Sequence, residues 1–118
     1  MCPIFNAGRG EIATALFQKK RRKWCQIAEE YITTVDALCL QINEKTLFCG
    51  EFMPFVVTQL RRQLKQKAII PAPAGMLRRA GFLADLGWQR LKTGDYDDVT
   101  TLQPMYLRRP SITKPKHR

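Results

Sequence analysis

The chain opens with three alternating segments and continues with helix-period stripes separated by short apolar runs, a pattern that few folds accommodate. Glu11 to Phe17 sets Ile12, Thr14 and Leu16 on one side and Ala13, Ala15 and Phe17 on the other, the period of a half-buried strand. Cys2 to Phe5 precedes it as a short apolar strand, and the two glycines of Asn6-Ala7-Gly8-Arg9-Gly10 suit a hairpin turn between them. After the basic turn Gln18 to Lys23, Trp24 to Thr33 alternates more loosely and reads as a third antiparallel strand. The period then changes. Thr33 or Thr34 can cap a helix reaching Ile42, with Val35, Leu38, Cys39 and Ile42 as its apolar stripe. A second helix runs from near Phe52 to about Gln66, with Phe52, Phe55, Val56, Leu60 and Leu64 on its inner face. A third runs from Ala74 to about Lys92 and stops at Gly94. Its stripe of Leu77, Ala80, Leu83, Ala84, Trp88 and Leu91 has the width of a core face, so burial is expected.

Short apolar runs at Thr46 to Cys49 and Ala68 to Ile70 separate these helices and read as buried strands. Thr100 to Leu107 reads as extended, with Pro104 marking an edge or an irregular segment. The element order is therefore βββαβαβα. A hairpin meander is expected in the first half and parallel pairing through helical crossovers in the second. This is the order of a ribonuclease H-like α/β fold with a mixed sheet, as in each lobe of the actin-like ATPases. One domain is expected over residues 1–109, with a basic, disordered tail over 110–118.

Composition narrows the partners. Lys and Arg number 20 against 10 Asp and Glu, a net charge of +10 that favours anionic partners, nucleic acid first among them. The densest cluster is Lys19, Lys20, Arg21, Arg22 and Lys23, followed at once by Trp24. Cations that grip phosphates beside a ring that stacks on a base make these six residues a candidate nucleic-acid contact. The four cysteines form no CxxC pair, and the single histidine, His117, lies in the tail, so no zinc site is expected. Cys39 and Cys49 read as small buried hydrophobes of a reduced, cytoplasmic protein. No leader segment is evident, and no run approaches the ~20 apolar residues of a membrane span, so no membrane partner is expected.

Catalytic chemistry finds little support. Two-metal phosphodiester cleavage needs several converging carboxylates, whereas the first strand offers Asn6, with Glu11 across the turn. Asp36 belongs to a helix start, and Asp95, Asp97 and Asp98 sit together after the last helix. Nucleophilic catalysis lacks a GxSxG sequence and a histidine base in the folded region. Gly8-x-Gly10 joins two strands and is too short for a phosphate loop. No catalytic residue, metal or cofactor is expected.

The two ends of the pattern nonetheless resemble a family. Asn6-Ala7-Gly8-Arg9-Gly10-Glu11 stands where the TsaB (YeaZ) glycoprotease-like family has an Asp-Ala-Arg-Arg-x-Glu turn, keeping Ala7, Arg9 and Glu11 and departing at Asn6 and Gly8. Cys49-Gly50-Glu51 stands for that family's Gly-Asp-Gly and keeps one glycine and an acid. The family's Pro-x-Tyr-Leu-Arg ending is intact as Pro104-Met105-Tyr106-Leu107-Arg108. The similarity spans roughly residues 1–109 and corresponds to the C-terminal lobe of the family.

The resemblance implies a non-enzymatic adaptor in bacterial tRNA threonylcarbamoyladenosine synthesis. Its implied partner is the TsaD-type synthase, which acts on an adenosine of certain tRNAs. Family members carry a further, N-terminal lobe, so the resemblance implies a truncated, split or separately encoded half. Such a half would leave apolar surface uncovered, which predicts self-association or a missing partner. Arg9 and Glu11 are expected to fix the first hairpin, and Gly50 to close the fourth strand. Tyr106 and Arg108 are expected to pin the closing segment to the lobe, with Pro104 as part of the same motif. On that footing Tyr106→Ala is expected to cost roughly a few kcal/mol, as truncation of a buried aromatic does.

Overall fold

A computed structural model describes residues 1–108. Five strands form one mixed sheet in the order β3-β2-β1-β4-β5: β1 Cys2–Gly8, β2 Glu11–Lys20, β3 Lys23–Thr33, β4 Thr46–Glu51 and β5 Ala68–Ile69. The three helices are α1 Val35–Gln41, α2 Pro54–Leu64 and α3 Ala80–Lys92, with 3-10 turns at Lys65–Lys67 and Pro73–Met76. β1, β2 and β3 pair antiparallel, while β1–β4 and β4–β5 pair parallel. The α/β class and the mixed sheet agree with the sequence reading. Arg109 and the tail 110–118 lie outside the described residues, and so does the expectation placed on them.

Local chemistry explains the boundaries. Arg9 and Gly10 both take positive φ (56° and 76°), which gives the two-residue turn whose twist matches its flanking strands. Asn6 Oδ1 accepts a hydrogen bond from the Gly8 amide at 2.8 Å where the register shifts before that turn. Of the two candidate caps, Thr34 opens α1, accepting from the Ala37 amide at 3.2 Å. Pro54 occupies the first turn of α2, where its missing N–H costs nothing.

The core lies under one face of the sheet. Register puts Cys2 opposite Phe48 and Ile4 opposite both Thr14 and Gly50. These inward residues pack with Ile12, with Val35, Leu38 and Cys39 of α1, and with Val56, Leu60 and Leu64 of α2. The Asp36 carboxylate accepts from the Gln59 and Gln63 amides at 3.4 and 2.5 Å, tying the two helices together at the rim. The other face carries the alternate residues. Phe5, Ala13 and Ile32 form one cross-strand row, with Pro3 and Cys49 beside it, and all are half-buried.

Several expectations are corrected. Helix α3 begins at Ala80, because the preceding Pro73–Met76 forms a separate 3-10 turn. None of its residues is buried: Phe82, Leu83, Leu86, Trp88 and Leu91 all face solvent. An apolar stripe records what a helix can cover, and α3 covers no strand of this sheet. Phe55 of α2 is likewise exposed, since Val56, Leu60 and Leu64, four residues apart, already fill the inner line. Thr100 to Leu107 forms no strand. Among the cysteines, Cys2 and Cys39 are buried and Cys49 is half-buried.

Two tests follow from this packing. Gly50 has φ +109°, and a Cβ there would collide with the Ile4 carbonyl of the adjacent strand. Gly50→Ala is therefore expected to cost about 3 kcal/mol or more in urea unfolding, combining left-handed strain with displacement of a backbone that has no room to move. Burial pushes the Cys2 thiol up from 9.0 to about 11, opposed by its contact with Thr14. Because the fold favours the neutral thiol, stability is full below pH 9 and falls as pH rises from there toward about 11. Cys2 is expected to resist an alkylating reagent at pH 8 until the chain is unfolded by urea, with mass spectrometry as the readout.

Candidate functional site

The motif residues converge on one end of the sheet. There the β1–β2 turn meets the start of α2, and a cavity of about 220 Å³ opens between them. Asn6, Arg9 and Glu11 give it a polar rim, while Val35, Phe52 and Phe55 line its apolar side. Glu11 is engaged from the far end of the chain: the Arg108 guanidinium donates to its carboxylate across 97 positions of sequence. Gly50 stands next to the site, where β4 runs beside Ile4 and Phe5.

A second tether lies at the same end. Arg78 donates through Nε and Nη2 to both oxygens of Glu51, at 2.8 and 2.6 Å. The same guanidinium sits 5.2 Å from the centre of the Phe5 ring, on the half-buried outer face of the sheet. The Arg78 hydrogen bond and charge hold the Glu51 carboxyl below the usual carboxylate range. Both partners are exposed, so this pair orients the segment more than it stabilises it. Arg78 belongs to none of the sequence motifs. A signal was available, however: Arg78-Arg79 precedes the N-terminus of α3, where cations oppose the helix dipole and call for a nearby acid.

The other sequence candidates divide. Arg108 and Glu11 meet, which joins the closing segment to the first hairpin. Arg9 shapes the turn through its positive φ. Tyr106 is 76% exposed, so it pins nothing into the lobe, and the motif residue Pro104 is exposed as well. The expected cost of Tyr106→Ala is corrected accordingly. Arg108 alone of the three ending residues makes the long-range contact, because its guanidinium reaches where the chain does not pack.

The basic cluster lies elsewhere. Lys19, Lys20, Arg21, Arg22 and Lys23 cap the β2–β3 hairpin, with Trp24 beside them, all exposed. The length of β2 separates this tip from Glu11 by roughly 25 to 30 Å, taking ~3.3 Å per strand residue. The two candidate regions are therefore distinct surfaces.

The motif end is built for holding shape and charge. The carboxylate on its rim, Glu11, is already paired with Arg108. Among the described residues no group of three or more His, Cys, Asp or Glu side chains could hold a metal ion. No described helix is long and apolar enough to cross a membrane.

Tyr106→Ala is expected to move stability by no more than about 0.5 kcal/mol, as ordinary surface changes do. Arg108→Ala should cost at most about 1 kcal/mol, because its side chain and that of Glu11 remain 37% and 36% exposed. Urea midpoints of the two variants check both values, and a loss above 2 kcal/mol for Tyr106→Ala, on the scale of a buried aromatic, would contradict the placement. No protein-family model matches this chain, and no curated protein matches it.

Proposed function

We propose that this chain is a non-enzymatic adaptor lobe with a ribonuclease H-like fold, resembling the C-terminal lobe of TsaB. In this reading it works in the cytoplasm, supporting a TsaD-type synthase in tRNA threonylcarbamoyladenosine formation. The observation that carries the reading is the Glu11–Arg108 pair, which brings the two most family-like segments into contact across the whole lobe. The element order and the sheet, an antiparallel meander continued by parallel β4 and β5, support it further.

The exposed face of α3 suits an adaptor. Phe82, Leu83 and Leu86, within one third of the helix circumference, offer aromatic and aliphatic anchors of the kind that fill a partner's pocket. Uncovered apolar helices also pair with themselves, so the isolated chain is expected to self-associate. Phe82→Ser combined with Leu86→Ser should shift its light-scattering mass toward the monomer and lower binding of an apolar dye. A monodisperse parent chain that binds no dye would contradict this.

Calorimetric titration of the chain into the TsaD-type synthase of the same organism tests the adaptor reading. Saturable binding at physiological salt, lost in the Phe82→Ser/Leu86→Ser variant, is the expected result. A flat titration would remove this lobe from that interface.

A further inference from the structure

The densest charge in the chain lies at the β2–β3 turn, which is locally unfavourable as built. Lys20 and Lys23 stand directly opposite one another, a like-charge cross-strand pair. Arg21 and Arg22 both adopt positive φ (46° and 69°), a geometry that glycine and asparagine enter far more readily than arginine. Among the described residues no carboxylate forms an ion pair with any of Lys19 to Lys23. The tip therefore carries repulsion and backbone strain together, with no internal acid to offset either.

Beside the tip lies a groove with a different chemistry. Trp24, 48% exposed, shares it with Ile27, while Lys19 from β2 and Lys45 from the α1–β4 loop supply its cations. Lys19 Nζ sits 5.9 Å from the centre of the Trp24 ring, on the cross-strand position opposite it. Gln41, Asn43 and Glu44 also line the groove. A flat ring with ammonium groups beside it and a cationic hairpin tip next to it matches a ligand that alternates planar rings with anions.

We propose that this groove and hairpin tip bind single-stranded nucleic acid. A base stacks on Trp24, and successive phosphates run along Lys19, Lys20, Arg21, Arg22 and Lys23. A single strand fits because a half-exposed ring within a groove takes an unstacked base, which a duplex does not present. A lipid surface fits less well: the outermost residues of the turn are charged, and Trp24 lies behind them on β3. This binding is separate from the adaptor reading, since it uses the opposite end of the sheet and none of α3.

Fluorescence anisotropy of a labelled oligothymidylate, titrated with the whole chain at physiological salt, tests the proposal. Saturable binding is expected, with an affinity that falls with salt at a slope of about −3.5 on logarithmic axes, taking ~0.7 for each phosphate met by the five cations. In a Trp88→Phe background, which leaves Trp24 as the sole tryptophan, binding should quench the intrinsic fluorescence. Trp24→Ala should weaken binding about tenfold and Trp24→Phe should restore most of it, with unchanged circular dichroism showing that the sheet persists. Arg21→Glu combined with Arg22→Glu should abolish binding. Three results would each overturn the proposal: equal affinity for a duplex, unaltered affinity in Trp24→Ala, or displacement of the oligonucleotide by heparin or phosphatidylserine vesicles at matched charge. Absence of binding at physiological salt would overturn it too.

Discussion

The seating of β1 between β2 and β4, with Cys2 and Ile4 fully buried beneath α1 and α2, is the constraint on which the rest of the molecule depends. β1 is the one strand paired antiparallel on one side and parallel on the other, so it fixes the registers of both halves of the sheet. Each fully buried Ile, Leu or Phe side chain contributes about 1.5–3 kcal/mol, and Ile4, Leu38, Phe48 and Leu60 are all fully enclosed. The close approach at Gly50 belongs to the same arrangement. It lets β4 lie against Ile4 without a side chain between them, and that in turn sets where Glu51 emerges.

From that frame the ends of the sheet acquire opposite characters. At one end the β1–β2 turn, Glu51 and the start of α2 gather two acids that are met by Arg78 and Arg108. At the other end the β2–β3 hairpin extends, and its five consecutive cations form no ion pair among the described residues. A net charge of +10 is thus unevenly placed: neutralised where the chain returns to itself and uncompensated where it projects. The sheet acts as a spacer that keeps the paired end apart from the cationic tip.

Much of the frame was legible because it depends on local periodicity. Ile12, Thr14 and Leu16 announced the inner side of β2, and the four-residue spacing of Val56, Leu60 and Leu64 announced that of α2. The glycines at the first turn and Thr34 before α1 marked boundaries through backbone and capping chemistry. The fate of α3 was not legible, since a stripe such as Leu83, Trp88 and Leu91 looks the same whether its cover comes from the same chain or from outside. Tyr106 misled for a related reason: a large aromatic in a motif says that it packs somewhere, without saying where. The Glu51–Arg78 pair depends on how the chain travels after β5, which no periodicity encodes.

The segment carrying α3 is tied to the sheet by guanidinium–carboxylate pairs on either side of the helix, Arg78–Glu51 and Arg108–Glu11, and this has a thermodynamic consequence. Such pairs are each worth about 1 kcal/mol or less, far below what separates the folded core from its unfolded state. The region from Arg78 onward, beyond Ile70 and the Pro73–Met76 turn that pack on the core and on β4, is therefore expected to detach and return while β1, β2 and β4 stay paired. Two cooperative units of unequal depth are the expected consequence, with amide protons in α3 exchanging through local openings that leave β1 paired. A midpoint read from the sheet describes the sheet; α3 follows its own, shallower equilibrium.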